Sequence, residues 1–161
     1  MKIRNNLLFL FFVLNISINA KEYYGIKVPD KYYDTIIKYC TEYKVPTIYA
    51  IKLIEWESGW NELCITINKN KTKDYGLMKH NSNSLSDFSR WYNNSIKYDP
   101  LDWKINIKIG IMHLAYLRKE AGSWFGALAA YNMGLFGYTE WRLNKRIMPE
   151  ETKKELEFIF G

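Results

Sequence analysis

Pro46-Thr47-Ile48-Tyr49-Ala50-Ile51-Lys52-Leu53-Ile54-Glu55-Trp56-Glu57-Ser58-Gly59-Trp60 reads as one helix with both ends written into it. Proline fixes the entry dihedral and needs no amide partner at a helix start. Gly59 marks the exit. At about 100° per residue, Ala50, Leu53 and Ile54 lie within about 60° of Glu57. A carboxylate therefore shares an apolar stripe in the last turn of the helix. Glu55 lies nearly opposite, beside Lys52, where a solvated i, i+3 pair is expected. Ile48 and Ile51 make the helix apolar on much of its circumference.

The end of a helix carries negative partial charge, which disfavours an ionised carboxylate. Apolar surroundings act in the same direction. Both raise the pKa of Glu57, and a general acid must hold its proton near neutral pH. Read alone, the helix leaves two readings open. Glu57 is either such an acid or a glutamate that caps a loop or pairs with a lysine.

Outward from this helix the chain is mostly helical. Pro29, with Asp30 in the first turn, opens a helix to about Tyr43. Ile65-Thr66-Ile67 alternates briefly, and the polar run Asn68 to Lys73 is turn-prone, which predicts a short β-hairpin or loop. Ser84 to Tyr92 forms a short helix, with Ser84 as cap and Asp87 three residues on. A long helix runs from Asp102 or Trp103 to about Ala121, with Ile105, Ile109, Met112 and Tyr116 at helical spacing. Ser123 caps the next, through Asn132, and Pro149 opens a last helix to Phe160. The expected fold class is all-α with one small hairpin.

The 161 residues suit one domain. Residues 1–20 have the layout of an export signal. Lys2 and Arg4 precede the apolar run Leu7 to Ile18, and Ala20 is a small residue before Lys21. A retained membrane anchor is the other reading, but the run falls short of the ~20 residues that span a bilayer. The catalytic domain is then 21–161, exported to the periplasm or cell envelope, with no membrane span after cleavage. Net charge is +6, and without Lys2 and Arg4 the remaining 21 basic and 17 acidic residues leave +4. This mild excess suits an anionic polymer or surface. With no basic stripe interleaved with aromatics, a nucleic-acid partner is not expected. Aromatic residues make up 17% of the chain, a supply both for sugar stacking and for core packing. Cys40 and Cys64 leave a disulfide and two free thiols equally open. With His80 and His113 they lack metal-ligand spacing, so neither metal nor cofactor is expected.

Four segments sharpen the reading of Glu57. They are Glu57-Ser58-Gly59-Trp60-Asn61, Gly76-Leu77-Met78, the pair Asp99-Pro100 with Asn106-Ile107-Lys108-Ile109-Gly110, and Ala129-Ala130-Tyr131-Asn132-Met133-Gly134. In this order and at these separations they resemble the motifs of soluble lytic transglycosylases with a goose-lysozyme-like fold. The polar run into Asp74-Tyr75-Gly76 is similar to that of the small transglycosylases serving secretion systems. The resemblance covers roughly Pro46 to Gly137. It implies that Glu57 is the catalytic acid/base and that Ser58 shapes the site beside it. It implies that Gly76, Leu77 and Met78 line the groove under the sugars, that the Tyr131 hydroxyl reaches the catalytic carboxyl, and that Asn132 borders the cleft. Plain core packing is the other reading of Leu77 and Met78, as helix-end packing is of Tyr131 and Asn132. Asp99-Pro100 and Asn106-Ile107 are read as structural.

In one position the chain departs from the pattern. The family usually has Gln after Gly-Leu-Met, and here Lys79 stands there, followed by His80. Lysine only donates hydrogen bonds and adds a charge, so it can meet a stem-peptide carboxylate or an acetamido oxygen. His80 is read as a surface or packing residue. The implied chemistry is scission of peptidoglycan strands by a lytic transglycosylase using one carboxyl, since no clear second carboxylate stands out beside Asp74. A goose-type lysozyme hydrolase, or a weakened peptidoglycan-binding or scaffold protein, is the alternative. A monomer is expected, with a secretion or flagellar apparatus as the partner implied by the resemblance.

Overall fold

The computed structural model describes residues 20–92 and 98–161. The expected export signal lies outside the described residues except at its last position, Ala20. Among the described residues no helix is long and apolar enough to cross a membrane. The chain runs through β1 (Ala20–Tyr23), β2 (Ile26–Pro29), α1 (Asp30–Tyr43), α2 (Thr47–Ser58), β3 (Ile65–Ile67), β4 (Lys73–Tyr75), β5 (His80–Asn81), α3 (Leu85–Tyr92), α4 (Trp103–Ala121), α5 (Trp124–Met133), α6 (Leu135–Arg142) and α7 (Glu150–Phe160).

The punctuation read in the sequence explains most helix ends. Pro29, Pro46 and Pro149 precede α1, α2 and α7. The Asp102 side chain accepts from the backbone amides of Lys104 and Ile105 to start α4. Ser123 accepts from the amide of Gly126 to start α5. These caps satisfy amides that have no partner within the helix.

α4 lies at the centre. Ile107, Ile111 and Leu114 are fully buried in one core with Ile36 of α1, Leu53 and Ile54 of α2, and Leu128 of α5. Phe88, Tyr98 and Ile109 form a smaller cluster on its other side. The three-stranded antiparallel sheet β3-β4-β5 stands beside this bundle, with Thr66 opposite Asp74 and Tyr75 opposite His80.

Four features depart from the sequence reading. The β1–β2 hairpin was not expected; Tyr24 and Gly25, both at positive φ (49° and 79°), make its turn. The hairpin at Ile65 gains a third strand, β5. Helix α6 follows Gly134 without a cap side chain, so it has no start signal to read. Lys52 does not pair with Glu55. Its ammonium instead donates to the carbonyls of Phe158 (3.2 Å) and Ile159 (3.0 Å), at the end of α7.

Cys40 and Cys64 are free thiols, not a disulfide. The reason is the packing of α1 on α2. It brings the loop after α2 to the start of α1, where Glu62 accepts from Lys31 (2.6 Å) and Tyr32 (3.0 Å). Cys40 lies two turns further along α1, roughly 12 Å away at 1.5 Å per residue. It is buried, and burial pushes its thiol up to about 12.

Candidate active site

The last turn of α2 carries Glu57 to the foot of a cleft of about 890 Å³. The chain leaves the helix at once through Gly59 in the left-handed conformation (φ 54°). Ala50, Leu53 and Ile54, the stripe read beside Glu57, are fully buried. The cleft is walled by Thr66, Asn68 and Asp74 of the sheet region, by Lys79, by Tyr131 and Asn132 at the end of α5, and by Glu151 of α7.

Burial pushes the Glu57 carboxyl up to about 7; the charge of Lys79 pulls it back, and Asp74 and Glu151 push it up again. A carboxyl with that pKa holds its proton about half the time at neutral pH. It can donate a proton and later take one back.

The segment after β4 is pinned from two helices. Asn106 of α4 is fully buried. Its side-chain oxygen accepts from the Met78 amide (2.8 Å), and its nitrogen donates to the carbonyls of Tyr75 (3.0 Å) and Pro100 (2.9 Å). From α5, the Tyr131 hydroxyl donates to the Met78 carbonyl at 2.7 Å. That bond replaces the one expected from Tyr131 to the catalytic carboxyl. Tyr131 still feels Glu57: burial first, then that neighbouring carboxyl, hold its hydroxyl well above the ordinary tyrosine range.

Of the other expected residues, Lys79 and Asn132 line the cleft, whereas Ser58, Gly76, Leu77 and Met78 do not. Ser58 donates to the Ile54 carbonyl one turn back (3.2 Å). Leu77 and Met78 are fully buried, so their side chains serve the core. Gly76 (φ 74°) does permit a close approach, but to the protein itself. A Cβ there would lie 2.4 Å from Asn106 Nδ2 and 2.7 Å from the Pro100 carbonyl oxygen. Asp99-Pro100 and Asn106 are structural, as read, and Asn106 is the keystone of that turn.

The sheet wall is polar. Both oxygens of Asp74 accept from amides, Oδ2 from Asn68 (2.7 Å) and Oδ1 from Asn81 (2.6 Å). Asp74 lies in β4 rather than in a turn. The Lys79 ammonium donates to the Thr66 hydroxyl, with the Lys79 backbone at φ 49°. His80 is a buried packing residue, its Nδ1 against the Tyr98 hydroxyl. Burial, aided by His113, pushes its pKa down to about 3, so the ring is neutral. Among the described residues no group of three or more His, Cys, Asp or Glu side chains is placed to hold a metal ion.

The reading of the sequence missed one carboxyl. Glu155 of α7 is fully buried, and burial with the nearby Glu57 pushes it up to about 9. The signal was present: Thr152, Glu155, Leu156 and Ile159 recur at helical spacing, and all four are buried.

An acid with its pKa raised to about 7 at the foot of a polar cleft is the equipment of an enzyme that protonates a leaving group. Comparison with known proteins agrees with that class. The family model for the transglycosylase SLT domain matches residues 34–154. The chain belongs to that family. The fold is similar to the 70 kDa soluble lytic transglycosylase SLT70 from Escherichia coli, at 24% identity and a TM-score of 0.68, over 80% of this chain and 22% of that one. It is similar to a complex of the 70-kDa soluble lytic transglycosylase with bulgecin A, at 24% identity and 0.70, over 81% and 23%. It is also similar to an inactive mutant of lytic transglycosylase Slt from Pseudomonas aeruginosa, at 16% identity and 0.66, over 81% and 23%. The chain thus spans less than a quarter of the length of these proteins, and the likeness bears on the fold, which is the lysozyme-like one. Among curated proteins no match was found.

Proposed function

We propose that this chain is a peptidoglycan lytic transglycosylase that cuts the β-1,4 bond between N-acetylmuramic acid and N-acetylglucosamine and leaves a 1,6-anhydromuramic end. The observation that carries this reading is Glu57, one carboxyl raised to about 7 at the foot of a polar cleft. As the bond from C1 to the bridging oxygen breaks, the Glu57 carboxyl gives its proton to that oxygen. The resulting carboxylate then takes the proton of the same sugar's C6 hydroxyl, whose oxygen bonds to C1. The carboxyl ends protonated, and no water enters. Ring closure within one sugar gains from high effective concentration.

A hydrolase would need a second carboxylate to activate water. Two other carboxyls line the cleft, Asp74, whose oxygens each accept from an asparagine amide, and Glu151 on α7. The engagement of Asp74 supports ring closure over hydrolysis. Polar side chains along the cleft, among them Asn70, Asn132 and Lys79, suit the acetamido and hydroxyl groups of the strand. Removal of residues 1–20 on export would deliver the enzyme to the periplasm or cell envelope, where the wall lies. There it would act as a monomer, and the resemblance to transglycosylases of secretion systems names a secretion or flagellar apparatus as the machinery it would serve. The test is a zymogram on purified peptidoglycan. The wild-type chain is expected to leave a cleared band, and an intact band would defeat the proposal.

A further inference from the structure

The turn between α6 and α7 holds a second cavity of about 450 Å³, separate from the cleft and sharing no residue with it. Its wall includes Trp141, Lys145, Arg146, Met148 and Lys153, and no carboxylate. Asn144, at φ 56°, turns the chain out of α6, and its amide donates to the Trp141 carbonyl (2.9 Å). Lys153 meets Glu150 at 3.3 Å. Among the described residues, Lys145 and Arg146 pair with no carboxylate. Three cations around one opening, beside an indole and a thioether, favour an anion carried on an apolar body.

Gly137 ties this cavity to the cleft. It is buried in α6, and a Cβ there would lie 2.9 Å from Arg146 Nη1 and 3.6 Å from Met133 Cε. The missing side chain lets the guanidinium lie across α6, next to a residue of the cleft wall, since Met133 and Leu135 both line the cleft. From Leu135 at one end of α6 to Trp141 near the other is about 9 Å along the axis at 1.5 Å per residue. An extended peptide of four residues spans about 13 Å.

We propose, resting on the transglycosylase reading above, that this cavity is a second substrate site: it takes a carboxylate of the stem peptide borne by a muramic acid in the cleft, and Arg146 is the group that meets it. The guanidinium fork suits a carboxylate through two parallel hydrogen bonds. Lys145 and Lys153 add to the positive field, and Trp141 and Met148 give the peptide's aliphatic side chains an apolar wall.

The test measures kcat and KM on two substrates, strands that keep their stem peptides and strands stripped of them by an amidase. Arg146→Gln removes the charge. Gly137→Ala keeps every charge and displaces the guanidinium, and the atom it strikes is the tip of a flexible side chain, so the helix can stay in place. On peptide-bearing strands each variant should lose roughly tenfold in kcat/KM, through KM, the scale of one charge-assisted bond. On stripped strands each should stay within about twofold of the wild type, because an interaction with the peptide is absent there. Equal losses on both substrates, as a site for a phosphate or another part of the strand would give, overturn the proposal. So do unchanged rates in folded Arg146→Gln. A wild type that cuts neither substrate would instead sink the transglycosylase reading. Co-sedimentation with the same two insoluble preparations then decides the cavity: Arg146→Gln should pellet less with the peptide-bearing one alone, and pelleting equal to that of the wild type overturns the site.

Discussion

On the helical side of the cleft, α2 and α7 place Glu57 and Glu155 on faces whose other members, Leu53, Ile54, Leu156 and Ile159, are buried. On the sheet side, Asn68, Thr72 and Asn81 tie Asp74 into a network in which Asn81 Nδ2 also donates to Thr72 (3.1 Å). The same side chain, a carboxyl, has opposite prospects on the two walls. On the helical wall burial raises the pKa of Glu57 and of Glu155; on the sheet wall Asp74 meets two amide donors. The helical wall therefore holds the acid, and the sheet wall carries a hydrogen-bonded polar network.

The comparison breaks most visibly at Glu57. Glu57→Gln removes the transferable proton at nearly constant volume. Acid and base roles contribute about 10²–10⁴ each, so cutting should fall by several orders of magnitude, while Glu55→Gln changes little. Peptidoglycan turnover of the two variants measures it, and a loss confined to Glu55→Gln would reverse the assignment.

Asn106→Ala strikes the joint between the walls. It strips partners from the Met78 amide and from the carbonyls of Tyr75 and Pro100. Leaving buried groups unpaired costs about 1–3 kcal/mol each, so a loss of roughly 3 kcal/mol is expected by chemical denaturation. Activity should fall too, since the Met78 carbonyl holds the Tyr131 hydroxyl, a neighbour of Glu57.

Stability should also depend on pH, with opposite signs for two kinds of buried group. Burial pushes His80 down to about 3 and His113 to about 4. The unfolded chain protonates them below about 6.5 and the folded chain does not. Stability is therefore lost as pH falls from about 6.5 toward 4, on the order of 3 kcal/mol for each histidine at pH 4. Glu155 is raised, so the unfolded chain releases its proton first, and stability is lost as pH rises from 4.5 through about 9. Thermal melting against pH should show a maximum between about pH 5 and 7. A flat profile down to pH 4 would show that the histidines are not held neutral.

The smallest effect belongs to Lys79→Gln. Lys79 lowers the pKa of Glu57, so removing its charge should move the alkaline limb of the rate profile to higher pH. Turnover should be kept or improved, with less salt dependence of binding. A collapse like that of Glu57→Gln would give Lys79 a chemical role.

What the sequence made legible follows the same division. Caps and prolines announced α1, α2, α4, α5 and α7, because helix ends are decided by a few local residues such as Asp102 and Ser123. Glu57 could be read as an acid once three further segments stood beside its helix, because the apolar stripe and exit glycine alone left a capping glutamate open. The β1–β2 hairpin and α6 escaped, the first with a turn of only Tyr24 and Gly25, the second with no capping side chain. Non-local facts escaped as well. Whether Cys40 and Cys64 meet was left open by the sequence, and the bonds of Glu62 to Lys31 and Tyr32 show the loop after α2 seated at the far end of α1 from Cys40. Tyr131 was assigned to the carboxyl, but the nearer acceptor is a backbone carbonyl that no motif displays. Glu155 looked like one more charge in a helix also holding Glu150, Glu151 and Glu157 until α2 and α5 were seen to cover it.

The central claim is that one carboxyl closes a ring instead of activating water. Mass spectrometry of peptidoglycan digested by the wild-type chain tests it most directly. Ring closure adds no water at each cut, so the account predicts 1,6-anhydromuramic fragments with no new reducing ends. Fragments predominantly heavier by one water per cut, with reducing ends, would contradict it. They would require a water-activating base, for which Asp74 and Glu151 are the carboxyls lining the cleft besides Glu57.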